Sequence, residues 1–284
     1  MAIFSNQATL TYNGNSTSSN IAYGEILDVL AVTKTAVEGG YTPGSLVTYV
    51  VTLRNTGAAT LTGLTVTDDL GGYDFGGAAV YPLTYEADSV RLFANGVLQP
   101  APVVTAGPPL VFSGISVPGN GDVVLVYQAR ANRFADPTDS GRIDNTVTVT
   151  GDGLNAPVTA TESVSASTAP DLTISKSITP SQVVDNDRVT YTFVIRNSGN
   201  QAVVATDNAA ITDIFDPILT GLTVTFDGVS WTEGAQYNYD DVTGVFVTVP
   251  GQILVPAATY TQDPVTGEYS VTPGLATLTV TGTI

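Results

Sequence analysis

Lysine occurs only twice in the 284 residues, at Lys34 and Lys176, and each sits in a short alternating pattern. In Leu30-Ala31-Val32-Thr33-Lys34 the period of two puts Lys34 on the side of Leu30 and Val32. Lys176 shares a side with Leu172 and Ile174 in the same way. Asp68 follows Leu64 and Val66, and Asp213 follows Ala209 and Ile211. Asn145 falls with Ile143, Val147 and Val149, and Asn6 with Phe4, Ala8, Leu10 and Tyr12. In each set a polar group points where the core residues point. Burying any one of them alone is expensive.

Together, Lys, Asp and Asn can remove that cost by reacting. Burial lowers a lysine pKa and leaves a neutral amine as nucleophile. A buried carboxyl, its pKa raised, polarises the asparagine carbonyl and shuttles protons. The amine attacks the amide carbon, an isopeptide bond forms and ammonia leaves. In the first repeat the roles fall to Lys34 as nucleophile, Asn145 as acceptor and Asp68 as catalyst. In the second, Lys176 and Asp213 are present without a closing asparagine, and Asn6 of another copy is the candidate acceptor. The same residues also fit a buried ion pair capped by asparagine, or a lysine that snorkels to solvent near a sandwich edge.

The elements that must position these groups read as strands. Hydrophobic residues make up 43% and charged residues 12%, with Thr and Val prominent. No segment carries a convincing helical period. Leu46-Val-Thr-Tyr-Val-Val-Thr-Leu53 alternates Val47, Tyr49, Val51 and Leu53 against Thr48, Thr52 and Arg54. Asn95-Gly96 marks a hairpin turn, and Val117-Pro118-Gly119 a turn before the strand at 122–131. Net charge is −17, which repels nucleic acid and anionic membrane surfaces. Cysteine and histidine are both absent, removing disulfides, thiol nucleophiles, the usual general base and the commonest transition-metal ligand. No cofactor or metal is expected. The start has neither the basic nor the apolar region of a secretory signal, and no window approaches the ~18 apolar residues of a membrane span.

The chain repeats itself. LVTYVVTLRNTG recurs as RVTYTFVIRNSG, and Lys34 and Lys176 occupy matching places, as do Asn55 and Asn197. LTVTDDL recurs as AAITDIF, and VPGNGDVVLVYQARA as TPGLATLTVTGTI. The closing segment IDNTVTVTG, however, finds its match at the front, in FSNQATLTYNG, from Phe4 to Gly14. The expected order is a donor strand and polar connector over 1–26, a complete domain over 27–151, a Ser/Thr/Ala/Pro-rich linker over 152–170, and an incomplete domain over 171–284. The connector at 15–26, if extended, would reach about 40 Å.

The motifs TKTA, VTYVVTLRNTG, LTVTDDL and NTVTVTG, with their second copies ISKS, VTYTFVIRNSG and ITDIF, resemble a bacterial and archaeal surface-protein repeat catalogued as domain of unknown function eleven. That resemblance implies an immunoglobulin-like β-sandwich and no enzymatic activity. The Lys, Asp and Asn sets resemble the Lys–Asn crosslinks of Gram-positive pilins and adhesins.

The expectation is an all-β protein of two tandem immunoglobulin-like sandwiches, the second completed by the N-terminal strand of another copy. Its partner would be itself, in a head-to-tail filament on a cell or spore surface, hardened by isopeptide bonds within and between subunits. The alternative is a monomeric adhesive module binding ligand through the loops at 70–86 or 227–245. Asp136–Asp139, Asp185–Asp187 and Asp240-Asp241 could ligate calcium but lack a calcium-loop spacing. Trp231, Tyr237 and Tyr239 fit either a sugar platform or ordinary packing.

Overall fold

A computed structural model describes residues 2–26 and 28–284 and contains twenty-seven short strands and a single 3-10 turn at Ala205–Asp207. The described chain divides into two compact units, residues 1–136 with 141–165 and residues 137–140 with 166–284. None of its helices is long and apolar enough to cross a membrane.

The chain begins with a long hairpin. β1 (Ala2–Asn6) and β2 (Thr9–Tyr12) return through β3 (Asn15–Ser18) and β4 (Ala22–Ile26). The two-residue turn is Asn13-Gly14, with φ of 45° and 77°, the left-handed geometry that an Asn-Gly pair adopts readily. Between the pairs Asn6–Ala22 and Thr9–Ser18 the returning arm carries three residues against two, a β-bulge. Residues 15–26 are therefore the second arm of a hairpin and not the extended connector expected from their polarity. The Asn-Gly turn outweighs that polarity, since strands exposed on both faces need no apolar alternation.

Unit 1 continues with β5 (Leu30–Ala36), β6 (Leu46–Asn55) and β7 (Leu61–Asp68). Shorter strands follow: β8 (Tyr73–Phe75), β9 (Ala78–Val80), β10 (Leu83–Tyr85), β11 (Arg91–Ala94), β12 (Val97–Gln99) and β13 (Val103–Thr105). It closes with β14 (Leu110–Val117), β15 (Asp122–Ala131), β16 (Arg142–Thr150) and β17 (Val158–Ser165). One sheet runs β12-β11-β15-β6-β5 with β10 also on β15, and the other runs β13-β14-β7-β16-β17. Their inner faces bury Val47, Tyr49, Val51 and Leu53 of β6 against Leu64 and Val66 of β7, with Leu125 and Tyr127 of β15. This is the two-sheet sandwich that alternation predicts.

The linker expected at 152–170 is corrected by β17, which pairs with β16 from Arg142–Ser165 to Val149–Val158. Its Ser, Thr and Ala composition looked like a linker, but Val164 and Ala166 are buried.

Unit 2 contains β18 (Leu172–Thr179), β19 (Arg188–Asn197), β20 (Thr212–Ile214), β21 (Thr220–Phe226) and β22 (Val229–Trp231). β23 (Tyr237–Tyr239), β24 (Val245–Thr248), β25 (Thr259–Gln262), β26 (Tyr269–Thr272) and β27 (Gly274–Thr283) complete it. Its first sheet is β18-β19-β27-β21-β22, and its second is only β20-β24-β23. β19 pairs with β18 and β27 as β6 pairs with β5 and β15. The core gathers Phe193, Phe215, Leu219, Phe246 and Leu278. Asn55 and Asn197 cap the ends of β6 and β19 in the same way: each carboxamide donates to two backbone carbonyls and accepts the amide of the glycine two residues on.

Candidate functional site

β5, β7 and β16 bring Lys34, Asp68 and Asn145 of unit 1 into one dry cluster. Lys34 Nζ lies 2.7 Å from Asp68 Oδ2, and solvent reaches neither side chain. The ammonium position stands 4.6 Å from the centre of the Tyr49 ring. The Tyr127 hydroxyl donates to Asp68 Oδ2, and the Leu70 amide donates to Oδ1 at 2.7 Å. The β7–β16 register pairs Val147 with Asp68, so Asn145 is two residues away along the face that Val147 shares. Asn145 is fully buried beside the Tyr49 hydroxyl. Neither its Nδ2 nor its Oδ1 completes a hydrogen bond, and neither does that hydroxyl.

Burial dominates the electrostatics. Desolvation lowers the Lys34 pKa, against the opposing attraction of Asp68, and so favours a neutral amine. The same desolvation pushes both Tyr49 and Tyr127 well above the usual phenol range, keeping them protonated as donors. A carboxamide buried with both ends unpaired costs about 1–3 kcal/mol per group. The arrangement sets an amine, a carboxylate group and a carboxamide that completes no hydrogen bond in one cluster closed to solvent.

Sequence reasoning placed Tyr49 only among core residues and missed Tyr127. The available signal was pairing: Tyr49 and Tyr127 lie opposite each other on β6 and β15. Their rings stack at 5.7 Å, and a buried phenol needs a partner.

Unit 2 holds half of the same cluster. Lys176 and Asp213 form an ion pair, with side-chain exposures of 39% and 18%. Lys176 Nζ lies 4.5 Å from the Tyr191 ring centre and 5.4 Å from those of Phe193 and Phe215, an aromatic surround for the cation. Tyr191 answers to Tyr49, while Val280 lies opposite it where unit 1 has Tyr127. No strand pairs with the second edge of β20 among the described residues. The face expected to be inward is therefore open: Leu172, Ile174 and Ile178 are 42%, 55% and 39% exposed. Asn6 is exposed on β1, paired with Ala22, and Phe4, Ala8, Leu10 and Tyr12 are exposed with it.

The other candidates resolve into local structure. Asp240 Oδ1 accepts the amides of Val242 and Thr243, and Asp187 accepts that of Val184, as turn residues do. The described residues hold no group of three or more acidic side chains placed to bind a metal. Trp231 stacks on Phe226 at 5.0 Å, Tyr237 on Phe246 at 5.4 Å, and the Tyr239 hydroxyl accepts the Leu219 amide, so the three aromatics pack and do not form one platform.

No family model matches the chain, and no curated protein matches it. Among solved structures it is similar to a 35 kDa C-terminal fragment of a major pilin of Streptococcus agalactiae. The identity is 11%, over 87% of this chain and 91% of that one, with a TM-score of 0.37. The pilus backbone of Streptococcus pneumoniae matches at 11% identity over 86% of this chain, with a TM-score of 0.35. The N-terminal domain of a Streptococcus gordonii adhesin matches at 15% identity over 52% of this chain, also with a TM-score of 0.35. The matched regions cover 55% of the pneumococcal protein and 37% of the adhesin domain. All three TM-scores fall below 0.5, so no function is carried over from them.

Proposed function

We propose that the protein is a structural subunit of a surface filament, joined head to tail by donation of its N-terminal strand to the second unit of the next copy. The observation that carries this reading is a pair of unsatisfied halves. β20 leaves a free edge beside an open Lys176–Asp213 pair, where unit 1 has β16 and Asn145. β1 and β2 repeat the pattern of β16, Asn6 included, with the side chains of residues 3–12 exposed and only the β3–β4 arm paired to them. A free edge beside exposed core residues is an aggregation hazard unless it is filled, and strand addition satisfies both backbone and core. Donor and acceptor are different surfaces, so the contact is heterologous and propagates as an open filament unless its rotation closes a ring.

Covalent hardening follows from the chemistry of the cluster. Lys34 Nζ attacks Asn145 Cγ, the Nζ–Cγ bond forms and the Cγ–Nδ2 bond breaks. Asp68 takes the proton from the attacking nitrogen and passes it to the leaving one, which departs as ammonia. Lys176, Asp213 and the Asn6 of a neighbour would repeat the step between copies. Electron microscopy of a variant lacking residues 2–14 tests the assembly. Filaments are expected from the full chain and none from the variant, and normal filaments from the variant would overturn the reading.

A further inference from the structure

At the edge of β7 and its counterpart β20, the described parts of the two units differ by two strands and not by one. Unit 1 has both β16 and β17 outside β7, and unit 2 has neither outside β20. In unit 1, β17 also lies against β5, where Glu162 Oε1 accepts the Ala36 amide at 3.3 Å. Under that cover β5 buries Leu30 and Lys34. β18 has the same alternation, and every one of its residues is exposed. A single strand added at β20 would occupy the place of β16 and leave β18 bare.

Resting on the head-to-tail reading above, we infer that the donated element is the whole hairpin β1–β4. The first arm pairs with β20, and the second arm covers β18 of the neighbour. The hairpin is built like the one it would replace. Asn145 pairs with Glu162 across β16–β17, and Asn6 pairs with Ala22 across β1–β4. Ile143 pairs with Val164, and Phe4 pairs with Gly24. The Phe4 ring lies over Gly24, where any Cβ would overlap it. One large ring over a glycine thus stands where unit 1 has two branched side chains, with as many side-chain carbons in the one pair as in the other. Residues directly opposite share a face, so Asn6, Ala22, Phe4 and Gly24 all face the same way. That is the orientation Asn145 needs beside Ile143.

Superposing Asn6 on Asn145 fixes a register. Unit 1 pairs Thr148 with Thr67 and Val147 with Asp68. The hairpin then sets Thr9 against Thr212, and Ala8 against Asp213. The second arm brings Ala22 toward Ile178, as Glu162 stands toward Ala36. The ligand of this edge is therefore a two-stranded element of a second copy of the chain.

The chain has no cysteine, so introduced pairs report cleanly. Two full-length variants, Thr9→Cys with Thr212→Cys and Ala22→Cys with Ile178→Cys, are each assembled from equal parts of 15N-labelled and unlabelled chain. A short bifunctional thiol reagent is added, and the linked peptides are read by mass. Mixed-isotope links from both pairs are expected. Links from the first pair only would leave strand donation standing and overturn donation of the hairpin. Links from neither pair would overturn both. Links confined to single-isotope chains would mean that the hairpin folds back on its own second unit, which overturns the filament reading together with this inference.

Discussion

Lys34 Nζ sits 2.7 Å from Asp68 Oδ2 in a cluster that solvent does not reach, while Asn145 in the same cluster has both carboxamide atoms unpaired. A pair so deeply buried stays costly unless every group is satisfied. The orphaned amide is the group that a covalent step would consume.

Intact mass under denaturing conditions reads that step directly. The full chain should be one ammonia lighter than its sequence mass for each crosslink made. Asn145→Ala and Lys34→Ala should each restore the mass lost in unit 1. Asp68→Ala should restore it too, although both reacting groups remain. Full mass in the unaltered chain would remove the chemistry.

The Tyr127 hydroxyl holds Asp68 in place, and Phe at that position leaves one carboxylate oxygen short of a donor. Tyr127→Phe should destabilise unit 1 by about 1.5–3 kcal/mol, as expected for a hydrogen bond to a charged group. Urea unfolding should show a lower midpoint with an unchanged slope. A wild-type midpoint would mean that the hydroxyl does not bear on Asp68.

The pH profile of the uncrosslinked Asn145→Ala variant should rise and then fall. Burial lowers the Lys34 pKa in the folded state, so between that value and about 10.4 the unfolded chain holds the extra proton. Stability then increases with pH through this window. Tyr49 and Tyr127 are raised when folded, so above about 10 the unfolded chain loses protons that the fold retains, and stability declines. Urea midpoints measured across alkaline pH check both limbs. A flat profile would contradict the buried amine.

Between subunits, Lys176→Ala should spare strand pairing and remove the covalent link. Filaments of this variant should form and then dissolve in boiling detergent, where the unaltered chain gives a ladder of multimers. Asn6→Ala should behave alike. A ladder surviving either substitution would place the link elsewhere.

The sequence alone determined most of the sandwich strands and which face of each carries its lysine, aspartate or asparagine in unit 1, because period-2 alternation states which residues share a face. Lys34 with Leu30, Asp68 with Val66 and Asn145 with Val147 could be read from spacing, and burial agrees with each. Duplication of RNTG as RNSG likewise aligns the two units from sequence. Partners across the sandwich were not legible. Tyr127 reaches Asp68 from β15, fifty-nine residues along the chain, and nothing local marks that contact. β17 was hidden because small residues such as Ser163 and Ala160 make a strand only when an edge is waiting for them. The hairpin at 2–26 and the bare face of β18 emerged only with tertiary structure. Alternation gives a strand its two faces, but which of them is covered depends on segments far away in sequence or in another molecule.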